Sequence, residues 1–511
     1  MKLSLSGLKD PQYTQKGYSL PEYDIPSMRQ CTLEAPTWIH FGAGNIFRAF
    51  PAAAVDTMLS KGEMDKGIIV AESYDDEILT KAYHPYDELS LLVTLKADGS
   101  TEKRVIASVA ASYSADPSSA DAEALTAAFT APSLQMVSFT VTEKGYATSE
   151  DHFEAPVSIM GRITKLLLAR FEANAAPVAL VSMDNCSHNG DKIKAAVLSI
   201  ASQWQEKGLC SPEFLAYLQD AQKVSYPWSM IDKITPRPDE KVKKMLEADG
   251  FEDTDLIITD RHTFTAPFVN AEETGYLIIQ DDFPNGRPPL EKGGLLFTAR
   301  ETVDKVERMK VCTCLNPLHT ALAVFGCLLD FTLISDEMKD DDLRNFVTRM
   351  AYDEALPVVT SPGIIAPEEF LSTVLNVRLP NPFMPDAPQR IATDTSQKLP
   401  IRFGETIKAY MADDQLDVSA LRLIPVTLAG WLRYLEAVDD NLTPFELSPD
   451  PLFPTLLPLI KERNYEPLLH DATIFGVDLY EAGLAEEVLS ALSSMQEGKG
   501  AIRRHLKAVL A

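Results

Sequence analysis

Thr37-Trp38-Ile39-His40-Phe41-Gly42-Ala43-Gly44-Asn45-Ile46-Phe47-Arg48-Ala49 passes from a short apolar run through two glycines into an Ala-rich, helix-prone stretch that continues to Leu59. Strand, glycine turn and helix in that order open a dinucleotide-binding fold: the glycines let the backbone approach a pyrophosphate, whose charge rests on the N–H groups of the helix start. The third glycine of the usual fingerprint would fall at position 47, which is Phe47. A side chain of that size is expected to hold the helix further from the sheet. Gly67-Ile68-Ile69-Val70-Ala71 reads as the next buried strand, and Glu72 at its end is placed to hold ribose hydroxyls, with Asp75 and Asp76 slightly later.

Outward from that turn the same texture persists. Leu134–Val141 and Val178–Met183 are further apolar runs, with the helical stretch Ile159–Asn174 between them, and Leu256–Thr259 and Tyr276–Ile279 are later strand candidates. Strands alternating with helices imply a mainly parallel sheet covered on both faces. Ahead of the turn, residues 1–35 read as an irregular arm interrupted by Pro11, Pro21 and Pro26. After about residue 300 only helical stretches remain: Val303–Met309, Leu318–Asp330, Asp340–Leu356, Pro367–Leu375, Ser419–Val438 and Leu484–Met495. The fold class is therefore α/β: a Rossmann-type domain over 1–297, N-terminal arm included, followed by a mostly α-helical domain over 298–511.

Composition narrows the function classes. In 511 residues, 47 Lys plus Arg face 74 Asp plus Glu, a net charge of −27, which argues against nucleic acid and anionic membranes as partners. A few local Arg and Lys residues can still build a pocket for a small anion. Six cysteines in so long a chain are no disulfide framework and fit a reducing compartment. Residues 1–23 lack a signal-peptide core, and no stretch reaches about 18 uninterrupted apolar residues. The expectation is a cytoplasmic protein that spans no membrane. Cys312, Cys314 and His319 fall short of a closed four-ligand metal site, so no metal is expected.

The stretch Ile39–Ala49 resembles the start of the mannitol dehydrogenase family, the polyol-specific long-chain dehydrogenases. Further blocks follow in the family's order: Val141-Thr142-Glu143-Lys144-Gly145-Tyr146, then Ser182-Met183-Asp184-Asn185 with His188-Asn189-Gly190, then Tyr226–Pro236 and Asp281–Pro288. Later come Lys310, Asn316 and His319, Arg378-Leu379-Pro380-Asn381-Pro382, and Ala392–Pro400. The resemblance implies a metal-independent hydride exchange between a nicotinamide cofactor and a secondary alcohol or ketone, in a cleft between two domains, by a monomer or weak homo-oligomer. It implies Lys310 as the group that carries the proton, Asn185 and Asn316 as the amides that stabilise the oxyanion, and His319 as the residue that orients the reacting oxygen. Asp232 and Arg378 are the implied substrate-binding residues. Gly42, Gly44, Asn45 and Glu72 are the cofactor-binding candidates. An acid at Glu72 would repel a 2′-phosphate, so NAD is expected in preference to NADP.

The block from Cys312 to His319 is most like the fructuronate reductase branch, so the expected substrate is a sugar acid, D-fructuronate interconverted with D-mannonate. Mannitol 2-dehydrogenase or tagaturonate reductase activity is the alternative, and a non-catalytic dinucleotide-binding protein a more distant one. Arg378 is the first candidate for the substrate carboxylate, because its block aligns with the family's substrate-facing segment, and Arg390 and Arg402 are further candidates. One departure is that five residues, Val311 to Leu315, separate Lys310 from Asn316 where the family usually has four. On an unbroken helix Lys310 and His319 would lie on opposite faces. A break or bulge is required, and Pro317 suggests a new helix capped by Asn316.

Overall fold

The computed structural model describes residues 1–147 and 151–511. The chain forms two compact units: Met1–Lys96 with Ser100–Asp304, and Ala97–Gly99 with Lys305–Ala511. The boundary thus falls seven residues beyond the one read from the sequence. The reason is local: Leu296–Thr298 is a strand of the first unit, and the helix that starts at Arg300 stays tied there by Arg300 donating to Asp191.

The first unit is organised by six parallel strands: β1 (Trp38–Phe41), β2 (Ile68–Glu72), β3 (Val109–Ser114), β4 (Met136–Phe139), β5 (Val178–Ser182) and β6 (Val224–Ser225). Their order, β3-β2-β1-β4-β5-β6, reverses direction between β1 and β4, the place where doubly wound sheets bind dinucleotides. Strands β1, β2, β4 and β5 are buried along their whole length, as expected for strands covered on both faces. The covering helices include α1 (Asn45–Ala49), α2 (Pro51–Ser60), α3 (Ala122–Thr130), α4 (Ile159–Ala173) and α5 (Asn189–Glu206).

Two of the later strand candidates belong to other sheets. Tyr276–Gln280 lies between antiparallel β7 (Ser229–Asp232) and parallel Leu296–Thr298, and Ile257–Ile258 pairs only with Phe264–Thr265. The N-terminal arm is more regular than its prolines suggested. Tyr18–Ser19 joins a four-stranded sheet, and Ile25–Glu34 is helical, with Asp24 capping it and Pro26 in its first turn, where a missing N–H costs nothing.

The second unit is helical. Its central element, α6 (Asn316–Leu328), buries eleven residues, and α7 (Leu423–Tyr434) is buried throughout. The helical run Arg300–Leu328 is long and apolar enough to cross a membrane, but 78% of its most apolar window is buried inside the protein, which is how a core helix of a globular protein behaves. Single π-turns recur: Met309–Cys314, Met350–Ala355, Val374–Arg378 and Pro400–Gly404. Such turns insert one residue into a helix and are frequent at functional sites. Three of the four carry Lys310, Arg378 or Arg402.

Candidate active site

In the first unit, the turn after β1 is built as its glycines require. Gly42 has φ +112°, and a Cβ there would lie 2.4 Å from the Thr140 carbonyl oxygen, so only glycine fits. Gly44, in extended conformation, precedes α1 and would meet nothing within 4 Å if it carried a Cβ. The backbone in front of α1 is therefore open, and the first N–H groups of a helix have no partners within it. A pyrophosphate suits that place.

Phe47 is fully buried and stacks on the His40 ring, with centroids 4.2 Å apart. The ring that replaces the third glycine thus packs flat on an imidazole supplied by β1. His40 itself bridges the hydroxyls of Ser138 at 2.7 Å and Thr140 at 2.9 Å, and burial pushes its pKa down to about 3. Asn45 donates to the Phe264 carbonyl and accepts from Arg48, whose buried guanidinium also holds Thr265 and Ala266. The Asn45 side chain thus fastens α1, which leaves its backbone N–H for a ligand.

Glu72 is 4% exposed at the end of β2. One carboxylate oxygen accepts from the Ala43 N–H at 2.8 Å; the other accepts from the N–H groups of Ser73, Tyr74 and Asp75. Burial raises its pKa, and the four N–H donors oppose that. The carboxylate ties the glycine turn to the loop after β2. Asp76 accepts from Ser114 and Asp75 from Thr259, so three acids gather beside the turn.

Beyond β5, Asp184 accepts from the N–H groups of Val141 and Thr142 and from the Tyr146 hydroxyl, which locks two of the sequence blocks together. Buried Asn189 joins a third: its amide donates to the Asp184 carbonyl and the Ser229 carbonyl, and its oxygen accepts from the Ser229 N–H. Gly190 permits the close approach, since a Cβ there would lie 2.3 Å from the Tyr226 carbonyl oxygen. The loop carrying Asn185 is thereby fixed to β7, which ends in buried Asp232. Lys233 donates to the Glu272 carbonyl at 2.7 Å. Asn189 and Ser229 lie in two of the quoted blocks, but the sequence assigned neither a role; their pairing shows only in the fold.

In the second unit, Lys310 is 5% exposed and lies in the π-turn Met309–Cys314. The Leu315 N–H donates to the Lys310 carbonyl across five residues. The chain then breaks at Leu315 (φ −127°, ψ −61°) before α6 begins. The extra residue after Lys310 is thus absorbed as a bulge. The start of α6 differs by one position from the expectation: Leu315 occupies the cap, Asn316 is the first helical residue, and no side chain caps the helix.

Asn316 and His319 share the first turn of α6 and hence one face. His319 Nε2 is buried without a hydrogen-bond partner, 3.6 Å from the nearest Asp386 carboxylate oxygen. Burial pushes the imidazole down to about 4; Asp386 opposes the shift, and Arg402, Arg390 and Arg378 reinforce it. The ring is neutral at pH 7, with one nitrogen available to a ligand. Arg378 is buried; Arg390 pairs with Asp386. Arg402 donates to the Thr320 hydroxyl at 2.5 Å, and burial pushes it down to about 10. Lys398 closes its own turn by donating to the carbonyls of Ile391 and Thr393. Buried Cys312 and Cys314 join no metal cluster: among the described residues, no group of three or more His, Cys, Asp or Glu is placed to hold an ion.

The sequence residues fall into two sets: Gly42, Gly44, Asn45, Glu72, Asn185 and Asp232 in the first unit, and Lys310, Asn316, His319 and Arg378 in the second. Comparison with known proteins follows the same division. Residues 36–292 match the mannitol dehydrogenase Rossmann domain, and residues 302–496 the mannitol dehydrogenase C-terminal domain. The chain is 46% identical to D-mannonate oxidoreductase of Thermotoga maritima, over 100% of this chain and 99% of that one. A substrate-free D-sorbitol dehydrogenase crystal structure aligns with TM-score 0.81 at 26% identity, covering 97% and 98% of the two chains. The ternary complex of Pseudomonas fluorescens mannitol 2-dehydrogenase with NAD and D-mannitol aligns with TM-score 0.71 at 25% identity, covering 100% and 99%.

Proposed function

The chain belongs to the mannitol dehydrogenase family, and on that premise we propose that it interconverts D-fructuronate and D-mannonate with NAD(H). The observation that carries this reading is the full-length likeness to a D-mannonate oxidoreductase. Three arginines around a neutral histidine suit an anionic substrate.

A bound nicotinamide supplies the hydride to the keto carbon, or takes it back in oxidation. The protein supplies the rest. Lys310 gives its Nζ proton to the carbonyl oxygen as the alcohol forms, and removes it in the reverse direction. The amides of Asn185 and Asn316 donate to that oxygen as negative charge develops on it. His319, neutral and with Nε2 unpartnered, holds the reacting hydroxyl or its neighbour. Asp232 and Arg378 hold further substrate hydroxyls. Gly42, Gly44 and the Asn45 N–H receive the pyrophosphate, and the acids at 72, 75 and 76 disfavour a 2′-phosphate. Arg261, stacked over the Tyr74 ring at 4.8 Å, is the nearby cation that NADP would use instead.

The test is an initial-rate panel with NADH and NADPH against fructuronate, tagaturonate, fructose and fructose 6-phosphate. The reading requires fructuronate with NADH to be the best pair. A better rate with fructose would make the chain a mannitol 2-dehydrogenase, and no turnover of any ketose would leave a dinucleotide-binding protein.

A further inference from the structure

We propose that Arg402 is the specificity-determining residue for the substrate carboxylate, a role that rests on the uronate reading and sharpens it. Arg402 stands in the π-turn Pro400–Gly404, with one Nη donating to the Thr320 hydroxyl. That hydroxyl donates in turn to the Asn316 carbonyl at 2.9 Å. The guanidinium is thereby seated on the first turn of α6, beside the two residues of that turn assigned to the reacting oxygen.

Its partners are what set it apart. Arg390 pairs with Asp386, Arg433 with Glu436, and Arg503 with both Asp340 and Asp342. Arg402 pairs with no acid among the described residues; its side chain has one hydroxyl acceptor. Burial lowers its pKa with no carboxylate opposing the shift. A cation drawn out of water without a counter-ion is costly to keep. An anionic ligand supplies the missing charge.

The unspent donors have the right form. With one Nη on Thr320, the Nε–H and the other Nη–H remain, and neither nitrogen is a sealed, unpartnered atom. Those two N–H groups point along one edge of the guanidinium, the fork that takes both oxygens of a carboxylate. Asp386, the acid that lies against His319, is occupied by Arg390. The start of α6 adds the positive end of a helix dipole.

The experiment uses the full chain, measuring kcat and KM for fructuronate, fructose and fructose 6-phosphate in the wild type, Arg402→Gln and Arg402→Lys, with the thermal midpoint of each. Arg402→Gln is expected to raise the fructuronate KM by about tenfold or more, while the fructose KM moves by less than about threefold. Arg402→Lys keeps the charge and loses the fork, so its fructuronate KM should rise by roughly threefold to tenfold. This second variant also keeps the test valid if the glutamine variant does not fold. An unchanged fructuronate KM in a folded variant overturns the proposal, as does equal loss of fructuronate and fructose, which marks a structural arginine. A loss confined to fructose 6-phosphate overturns it too, because the site would then serve phosphate. A wild type that turns over no uronate removes the activity reading and this proposal together; fructuronate turnover with an unmoved KM in the variants removes this proposal alone.

Discussion

Glu72 and His40 in the first unit, and Arg402 and His319 in the second, face the same physical problem: each is a polar group drawn out of water. The first unit answers from within. Glu72 accepts from four backbone N–H groups, and His40 has a hydroxyl at each ring nitrogen. Arg402 and His319 are less completely partnered: among the described residues Arg402 has one hydroxyl and no acid, and His319 Nε2 has no hydrogen-bond partner. A carboxylate or imidazole with its partners in place holds a scaffold, whereas a cation with spare donors beside the residues assigned to the reacting oxygen keeps capacity for an anionic ligand. The glycine turn must keep its shape before the cofactor arrives, and the helical site must keep its capacity for a substrate.

The largest expected effect is on turnover in the second unit. Lys310→Ala should lower kcat by about 100-fold or more while leaving the NADH dissociation constant near its native value. Stopped-flow turnover together with a fluorescence titration reads both quantities. Near-native turnover would take Lys310 out of the mechanism.

Next comes the contrast in stability. Glu72→Ala strands four N–H groups and should cost about 3 kcal/mol in urea unfolding, with weaker NADH binding as the turn loosens. Arg402→Gln removes an uncompensated cation and should leave stability unchanged or raise it by about 1 kcal/mol. Equal losses for the two variants would erase the distinction between a closed and an open polar group.

Acid should destabilise the fold through the histidines. Folded His319 titrates near 4 and His40 near 3, both below the unfolded value of 6.5. Between those values the unfolded chain binds more protons, so stability present above pH 6.5 is lost as pH falls toward 4. His319→Gln should flatten the slope of unfolding free energy between pH 6.5 and 4. A slope that does not move would mean that His319 titrates normally in the folded protein.

The smallest effect concerns the cofactor. The acids at 72, 75 and 76 should favour NADH over NADPH by roughly tenfold in kcat/KM, and Arg261→Ala should widen the gap if that arginine meets the 2′-phosphate. Equal use of both cofactors would show that the charge of Glu72 is spent wholly on Ala43, Ser73, Tyr74 and Asp75.

Much of the first unit was legible because its signals are local. The apolar runs at Trp38, Ile68, Met136 and Val178 became adjacent strands of one sheet; Gly42 needs its glycine because of its positive φ and the Thr140 carbonyl beside it. The partner of Phe47 was not legible, because His40 lies across the turn and no spacing rule pairs them. The residue inserted after Lys310 announced a break but not its kind; a π-turn ahead of Pro317 resolves it, one position away from the expected cap. The arginines were the least legible. Arg378, Arg390 and Arg402 are spread over 25 positions, and only the folded unit shows that all three bear on His319 and that Arg402 pairs with no acid among the described residues. The family domains end at 292 and begin at 302, on either side of the boundary read from sequence, while by contact the first turn after Arg300 stays with the first unit.

The most direct test of the account is the ratio of kcat/KM for fructuronate to kcat/KM for fructose in the wild-type enzyme with saturating NADH. An open arginine fork beside a neutral histidine predicts a ratio of about 100 or more, because a charge-assisted bidentate pair is lost with the uncharged ketose. A ratio near or below one would contradict the account, since the unpaired cation at Arg402 would then have no ligand to explain it.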